Sequence, residues 1–118
     1  MEELAIFYTV IKDLFDGRVY PDAVPASNNA ADPAQWPAVR YILTSGKVIA
    51  TNCYQDYSPR VQVDIYANSP EERAKAVDLV MDTINQCDEL ACYLQTAPIF
   101  MMDFDRNKYQ ATFTYLIN

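Results

Sequence analysis

Histidine is absent from this 118-residue chain, and with it the commonest general base and the commonest metal-ligating side chain. A Ser-His-Asp or Cys-His site therefore cannot be built within one copy. Glycine is nearly as scarce. Gly17 and Gly46 are the only two, and phosphate-binding loops and dinucleotide fingerprints both need several glycines for close backbone approach. No apolar run approaches the ~20 residues that a membrane-spanning helix requires. The opening Met1-Glu2-Glu3-Leu4 lacks the basic start of a secretory leader, so the expectation is a soluble protein made in a reducing cytoplasm. Cysteines number three, Cys53, Cys87 and Cys92, with no CxxC and no zinc-ligand spacing. They read as reduced thiols acting as small hydrophobes, with a Cys87–Cys92 bridge as the alternative. Positive charge is thin as well: nine Lys and Arg against sixteen Asp and Glu give a net charge of −7. Nucleic-acid binders displace counterions with a basic stripe. The cations here are scattered, which argues against tight DNA or RNA binding.

What the chain does have is packing material. Hydrophobic residues make up 51% and aromatics 13%, including nine tyrosines. Disordered chains are poor in such residues. A chain of this length fits one domain, residues 1–118, which can bury roughly two-thirds of its unfolded surface.

The periodicities divide the chain into elements. Leu4, Phe7, Ile11 and Leu14 share one face of a helix predicted over Glu2–Phe15, with Gly17 suited to end it. Val19-Tyr20-Pro21 is a short extended piece. Asp22–Pro37 reads as a loop from its prolines and small polar residues, and its length marks it as functional or ordered by a partner. Ala38–Ser45 reads as a strand and Ser45-Gly46-Lys47 as a turn, with Val48–Tyr57 either a hairpin arm or an excursion. In Arg60–Ala67, Val61, Val63, Ile65 and Ala67 alternate with Gln62, Asp64 and Tyr66, the period of a strand with one face on a core. Ser69-Pro70-Glu71-Glu72 is a capping box with proline at the first helical position, opening a second helix along Ala74, Val77, Met81 and Ile84. A strand is expected near Ile99–Phe104, a turn at Asp105–Lys108, and a last strand over Tyr109–Ile117. The order gives an α+β fold: a mostly antiparallel sheet of four to five strands with two helices packed on one face.

Among the carboxylates, Asp103 and Asp105 would share a strand face and, with Asp64, could hold a hard cation. The alternative, a solvated acidic turn, fits the absence of a calcium-loop pattern. No catalytic, cofactor-binding or metal residue is assigned. Trp36, Tyr54 and Tyr57 are candidate interface residues, since aromatics in long loops often anchor contacts; packing of Trp36 onto the core is the alternative. Asp78 and Asp82 form an unfavourable like-charge pair four residues apart on the second helix.

Taken in order, Gly17-Arg18-Val19-Tyr20-Pro21, Pro37-Ala38-Val39-Arg40-Tyr41-Ile42, Arg60-Val61-Gln62-Val63-Asp64-Ile65-Tyr66-Ala67, the helix from Ser69-Pro70-Glu71-Glu72 and the closing Tyr109–Tyr115 strand cover nearly the whole chain. This pattern resembles the tail completion, or tail terminator, proteins that join tail to head in long-tailed bacteriophages. The resemblance implies a non-enzymatic virion protein without cofactor. It would form a homohexameric ring on the head-proximal end of the tail tube and stop tube polymerisation. Its partners would be further copies of itself, the tail tube protein and the head completion or connector protein, with DNA passing through the lumen and no membrane. Asp78 and Asp82 are then candidates to line the channel. Alternatives are another phage neck, minor tail or head-completion protein, a cytosolic small-molecule binder, or an acidic DNA mimic.

Overall fold

A computed structural model describes residues 2–25, 28–51, 54–88 and 92–117, with residues 2–4, 45–51 and 54–59 described by backbone alone. The elements are α1 (Glu2–Ile11), β1 (Val19–Pro21), β2 (Ala38–Thr51), β3 (Tyr54–Ala67), α2 (Pro70–Asn85), β4 (Cys92–Asp103) and β5 (Lys108–Ile117). Two short 3-10 turns, Leu14–Gly17 and Pro33–Gln35, join them. The sheet order is β1-β2-β3-β5-β4. Only β1 and β2 run parallel; the other three pairings are antiparallel. The fold is α+β, as the sequence leads one to expect.

Alternation on the strands builds the core. Val61, Val63 and Ile65 on β3, and Ala111, Phe113, Tyr115 and Ile117 on β5, all point to the helix face and are buried. α2 covers them with Ala76, Val77, Val80 and Ile84, and α1 with Phe7 and Ile11. Phe7 lies edge-on to Tyr115 with ring centroids 6.1 Å apart. The start of α2 follows its sequence signature: Ser69 Oγ accepts from Glu72 N at 3.1 Å, and the Glu72 carboxylate accepts from Asn68 N at 3.1 Å. Arg73 fastens this helix to the sheet, its guanidinium 4.8 Å over the Phe100 ring and donating to the carbonyls of Met101 and Gln110.

Three boundaries differ from expectation. α1 stops at Ile11 rather than Phe15, because Phe15, Asp16 and Gly17 all take positive φ (53°, 54° and 83°) and turn the chain into β1. Ser45-Gly46-Lys47 is not a turn. β2 runs through it with a register shift between Thr44 and Lys47, a bulge that absorbs one extra residue. The last helix-to-strand passage also differs: β4 begins at Cys92, well before Ile99, and tolerates Pro98 because it is an edge strand with irregular register on both sides of Thr96.

Cys87 and Cys92 are free thiols, both half-buried against the core. Burial, reinforced by Cys87, pushes the Cys92 thiol up. Cys53 lies outside the described residues.

The Tyr115 hydroxyl is buried and has no hydrogen-bond partner among the described residues. Burial, with smaller contributions from Cys92 and Asp82, pushes its pKa up to about 12. An unfolded tyrosine ionises near 10. The stability this group contributes is therefore present below about pH 10 and is lost as pH rises through about 12, a change of roughly 2–3 kcal/mol. Tyr115→Phe should be at least as stable at neutral pH, since it removes an unsatisfied hydroxyl, and should lose less stability between those pH values. Denaturant midpoints measured across the alkaline range check this.

Candidate interaction surface

The helices cover one face of the sheet and leave the other to polar chemistry and a loop. At its centre, Asp64 is fully buried. Its carboxylate accepts from Arg40 Nε at 2.5 Å, from Thr112 Oγ1 at 2.6 Å and from Gln62 Nε2 at 3.1 Å. Burial works against the Arg40 charge, but the hydrogen bond and charge of Asp64 outweigh it and hold the guanidinium above its usual value. Strand register explains the meeting: Arg40 pairs with Asp64 across β2 and β3, and Asp64 with Thr112 across β3 and β5. With every lone-pair direction engaged internally, Asp64 is a structural carboxylate. Asp103 is engaged too, accepting from Asp105 N at 3.1 Å in the β4–β5 turn. The cation site suggested by these three residues is thus corrected to an ion pair in one place and a turn in another. Among the described residues no group of His, Cys, Asp or Glu could hold a metal.

Toward one end of that face, the loop between β1 and β2 folds back over Ala38 and Tyr66. Trp36 is only 3% exposed there. Its indole Nε1 donates to Asn29 O at 3.0 Å, and its ring meets Tyr66 edge-on at 6.4 Å. Lys108 lies 5.1 Å over the ring and donates to Asn68 Oδ1. Arg106 stacks on Trp36 and Tyr66 and donates to Val24 O at 2.8 Å. Of the two readings of position 36, core packing is the one observed, which corrects the interface candidate: Trp36 packs the loop onto a second, smaller core.

The other candidates lie far from it. Beyond Thr44 and Arg60, β2 and β3 pair only with each other, from Lys47–Ser58 to Thr51–Tyr54, since β1 stops opposite Tyr41 and β5 opposite Arg60. They form a two-stranded ribbon projecting past the sheet, in a molecule 54 Å long and 28 Å wide. Tyr54 and Tyr57 belong to this ribbon; their side chains lie outside the described residues. Asp78 and Asp82 are both exposed on α2. The structure thus scatters the sequence candidates over an end loop, a ribbon and a helix rather than joining them.

A surface that the periodicities did not reveal lies on the open edge. On β4 and its turn, Tyr93, Ile99, Phe100, Met101 and Phe104 are 40–86% exposed. The detectable signal was Pro98 within the run from Cys92 to Met102, since proline inside a sheet is confined to edge strands and bulges. By contrast, the open depression of about 380 Å³ beside the start of α2 has an apolar floor of Phe15, Pro37, Ala76 and Leu79. Ser69, Glu71, Glu72 and Lys75 complete its lining; Ser69 and Glu72 are committed to the helix cap, while Glu71 and Lys75 are exposed on the helix surface.

No family model and no curated protein matches this chain. No helix among the described residues is long and apolar enough to cross a membrane.

Because Trp36 fills the smaller core, Trp36→Ala should cost about 3–5 kcal/mol of folding stability. Any assembly defect should follow the fraction unfolded. Chemical denaturation alongside an assembly readout checks both; an assembly defect in a fully stable variant would make Trp36 a contact residue after all.

Proposed function

We propose that this chain is a structural protein of a long-tailed bacteriophage, a tail terminator that caps the head-proximal end of the tail tube and joins it to the head. The carrying observation is the ordered run of segments from Gly17-Arg18-Val19-Tyr20-Pro21 through Arg60–Ala67 and the Ser69 capping box to the closing strand. Three features of the fold support the reading. The projecting ribbon offers reach toward a neighbouring component. An isolated two-stranded hairpin is marginal in water, so this ribbon gains most when something packs on it. The apolar β4 edge offers area for subunit contact, and the net charge of −7 suits a conduit that does not hold DNA. On this reading the protein is part of the virion neck and performs no catalysis. Its partners are further copies in a hexameric ring, the tube protein and the head connector, and DNA passes through without specific binding.

Particles made without this chain should carry tubes of uncontrolled length and unattached heads in electron micrographs, and the purified protein should restore joining. Tails of normal length that merely fail to meet leaky heads would instead assign it to head completion. Normal particles would overturn the reading.

Asp78 and Asp82 are the candidates for the channel wall in this proposal. At physiological salt the screening length is about 8 Å, so only charges close to the lumen act on DNA. Both are exposed, and substitution should leave the fold intact. Asp78→Lys with Asp82→Lys should slow DNA ejection from assembled particles, more strongly at low salt. Unchanged ejection kinetics would place α2 on the outer wall.

A further inference from the structure

We infer that Cys87 and Cys92 form a redox-sensitive staple: in oxidising surroundings the two thiols close to a disulfide that ties the end of α2 to the start of β4. Periodicity and strand register bring them to one corner of the core. The buried stripe of α2 runs through Val77, Val80 and Ile84, and Cys87 follows Ile84 by three residues on that stripe. The backbone keeps turning that far, since Gln86 N donates to Asp82 O at 3.0 Å and Cys87 N to Ile84 O at 3.2 Å. Cys92 arrives from the sheet. It pairs with Ile117, which is buried on the helix face, and directly paired residues share a face. Both cysteines are half-buried free thiols packed against the same apolar core. Burial, and then the neighbouring Cys87, push the Cys92 thiol up, as expected of two thiols close to one another.

The corner suits the bridge. Ile84 and Ile117, the nearest members of each element, are apolar and buried, and a disulfide there has no polar hydrogen to satisfy. Sequence distance selects the partner. Four residues separate the two cysteines, and so short a connection gives each thiol an effective concentration at the other in the millimolar range, far above that of a second copy in dilute solution.

The chemistry is thiol–disulfide exchange with a small disulfide such as oxidised glutathione. One protein thiolate attacks a glutathione sulfur and expels a glutathione thiolate. The other protein thiolate then attacks the protein sulfur of that mixed disulfide and expels the second. Two protein thiols are oxidised, one glutathione disulfide is reduced to two thiols, and the two protons pass to the released thiolates. On the neck reading, on which this use of the pair rests, the chain passes from a reducing cytoplasm into a released particle, and disulfides persist only in the second setting.

The test uses the purified full chain with Cys53→Ser, so that only this pair can react. Incubated with oxidised glutathione under native conditions, it should lose two hydrogens by intact mass, keep no free thiol and stay monomeric on a non-reducing gel. Its melting temperature should rise by about 5–10 °C and return on adding a reducing dithiol. With Cys87→Ser added, the remaining thiol should take up one glutathione with no such rise. In the unaltered chain, peptide mapping should join Cys87 to Cys92 and leave Cys53 outside the bridge. Thiols that stay free, a product that stops at the mixed disulfide, or cross-linked dimers overturn the proposal. So does a bridge that forms only in denaturant, one that leaves the melting temperature unraised, or one that maps to Cys53. Because no particle is involved, failure here leaves the terminator reading untouched, and failure of that reading leaves the bridge standing.

Discussion

Val61, Val63 and Ile65 on the central strand β3, with Ala111, Phe113 and Tyr115 beside them on β5, are removed from water by α1 and α2. Each fully buried side chain of this size contributes about 1.5–3 kcal/mol, so this shared apolar face dominates the favourable side of folding. It also fixes register. Sliding β3 by one residue would turn Gln62 and Asp64 into the core and expose the valines. The side of the sheet on which both helices pack follows from that single requirement.

The opposite face of the same strands is governed by the cost of burying charge. Asp64 has no solvent contact, which is tolerable because Arg40, Thr112 and Gln62 supply donors from three strands. Such a pair is weak evidence for stability in itself, but breaking it by removing one partner typically costs 3–5 kcal/mol. It locks the pairing of β2, β3 and β5 at one level. The loop capped by Trp36, Lys108 and Arg106 then closes one end of this face, and the β4 edge stays exposed. A chain built this way is stable at its centre and unsatisfied at its periphery, where the ribbon projects and the edge is apolar. Those are the places a component of a larger assembly would use.

The candidate functional residues were legible only in part. Asp78 and Asp82 stand out by their spacing and are exposed as a helix surface pair should be. Trp36 drew attention as an aromatic in a long loop, but whether such a residue faces solvent or a core depends on where the loop folds, and here Tyr66 and Ala38 receive it. The β4 surface escaped because its apolar residues follow neither helical nor strict strand period: the irregularities around Thr96 shift the alternation, and exposure on an edge depends on which strands come to lie beside it.

Local signals by themselves determined the capped start of α2, the alternating strands at Arg60–Ala67 and Tyr109–Ile117, the α+β class and the absence of histidine-dependent chemistry. Each rests on interactions within a few residues or on composition alone. Only the tertiary structure decided the end of α1, the continuation of β2 through Gly46, the Arg40–Asp64 pair and the identity of the open edge. These depend on contacts between segments far apart in the chain, such as residues 40, 64 and 112. A bulge or a buried ion pair is stable only when the partner strand is already in place, and no local period records that partner.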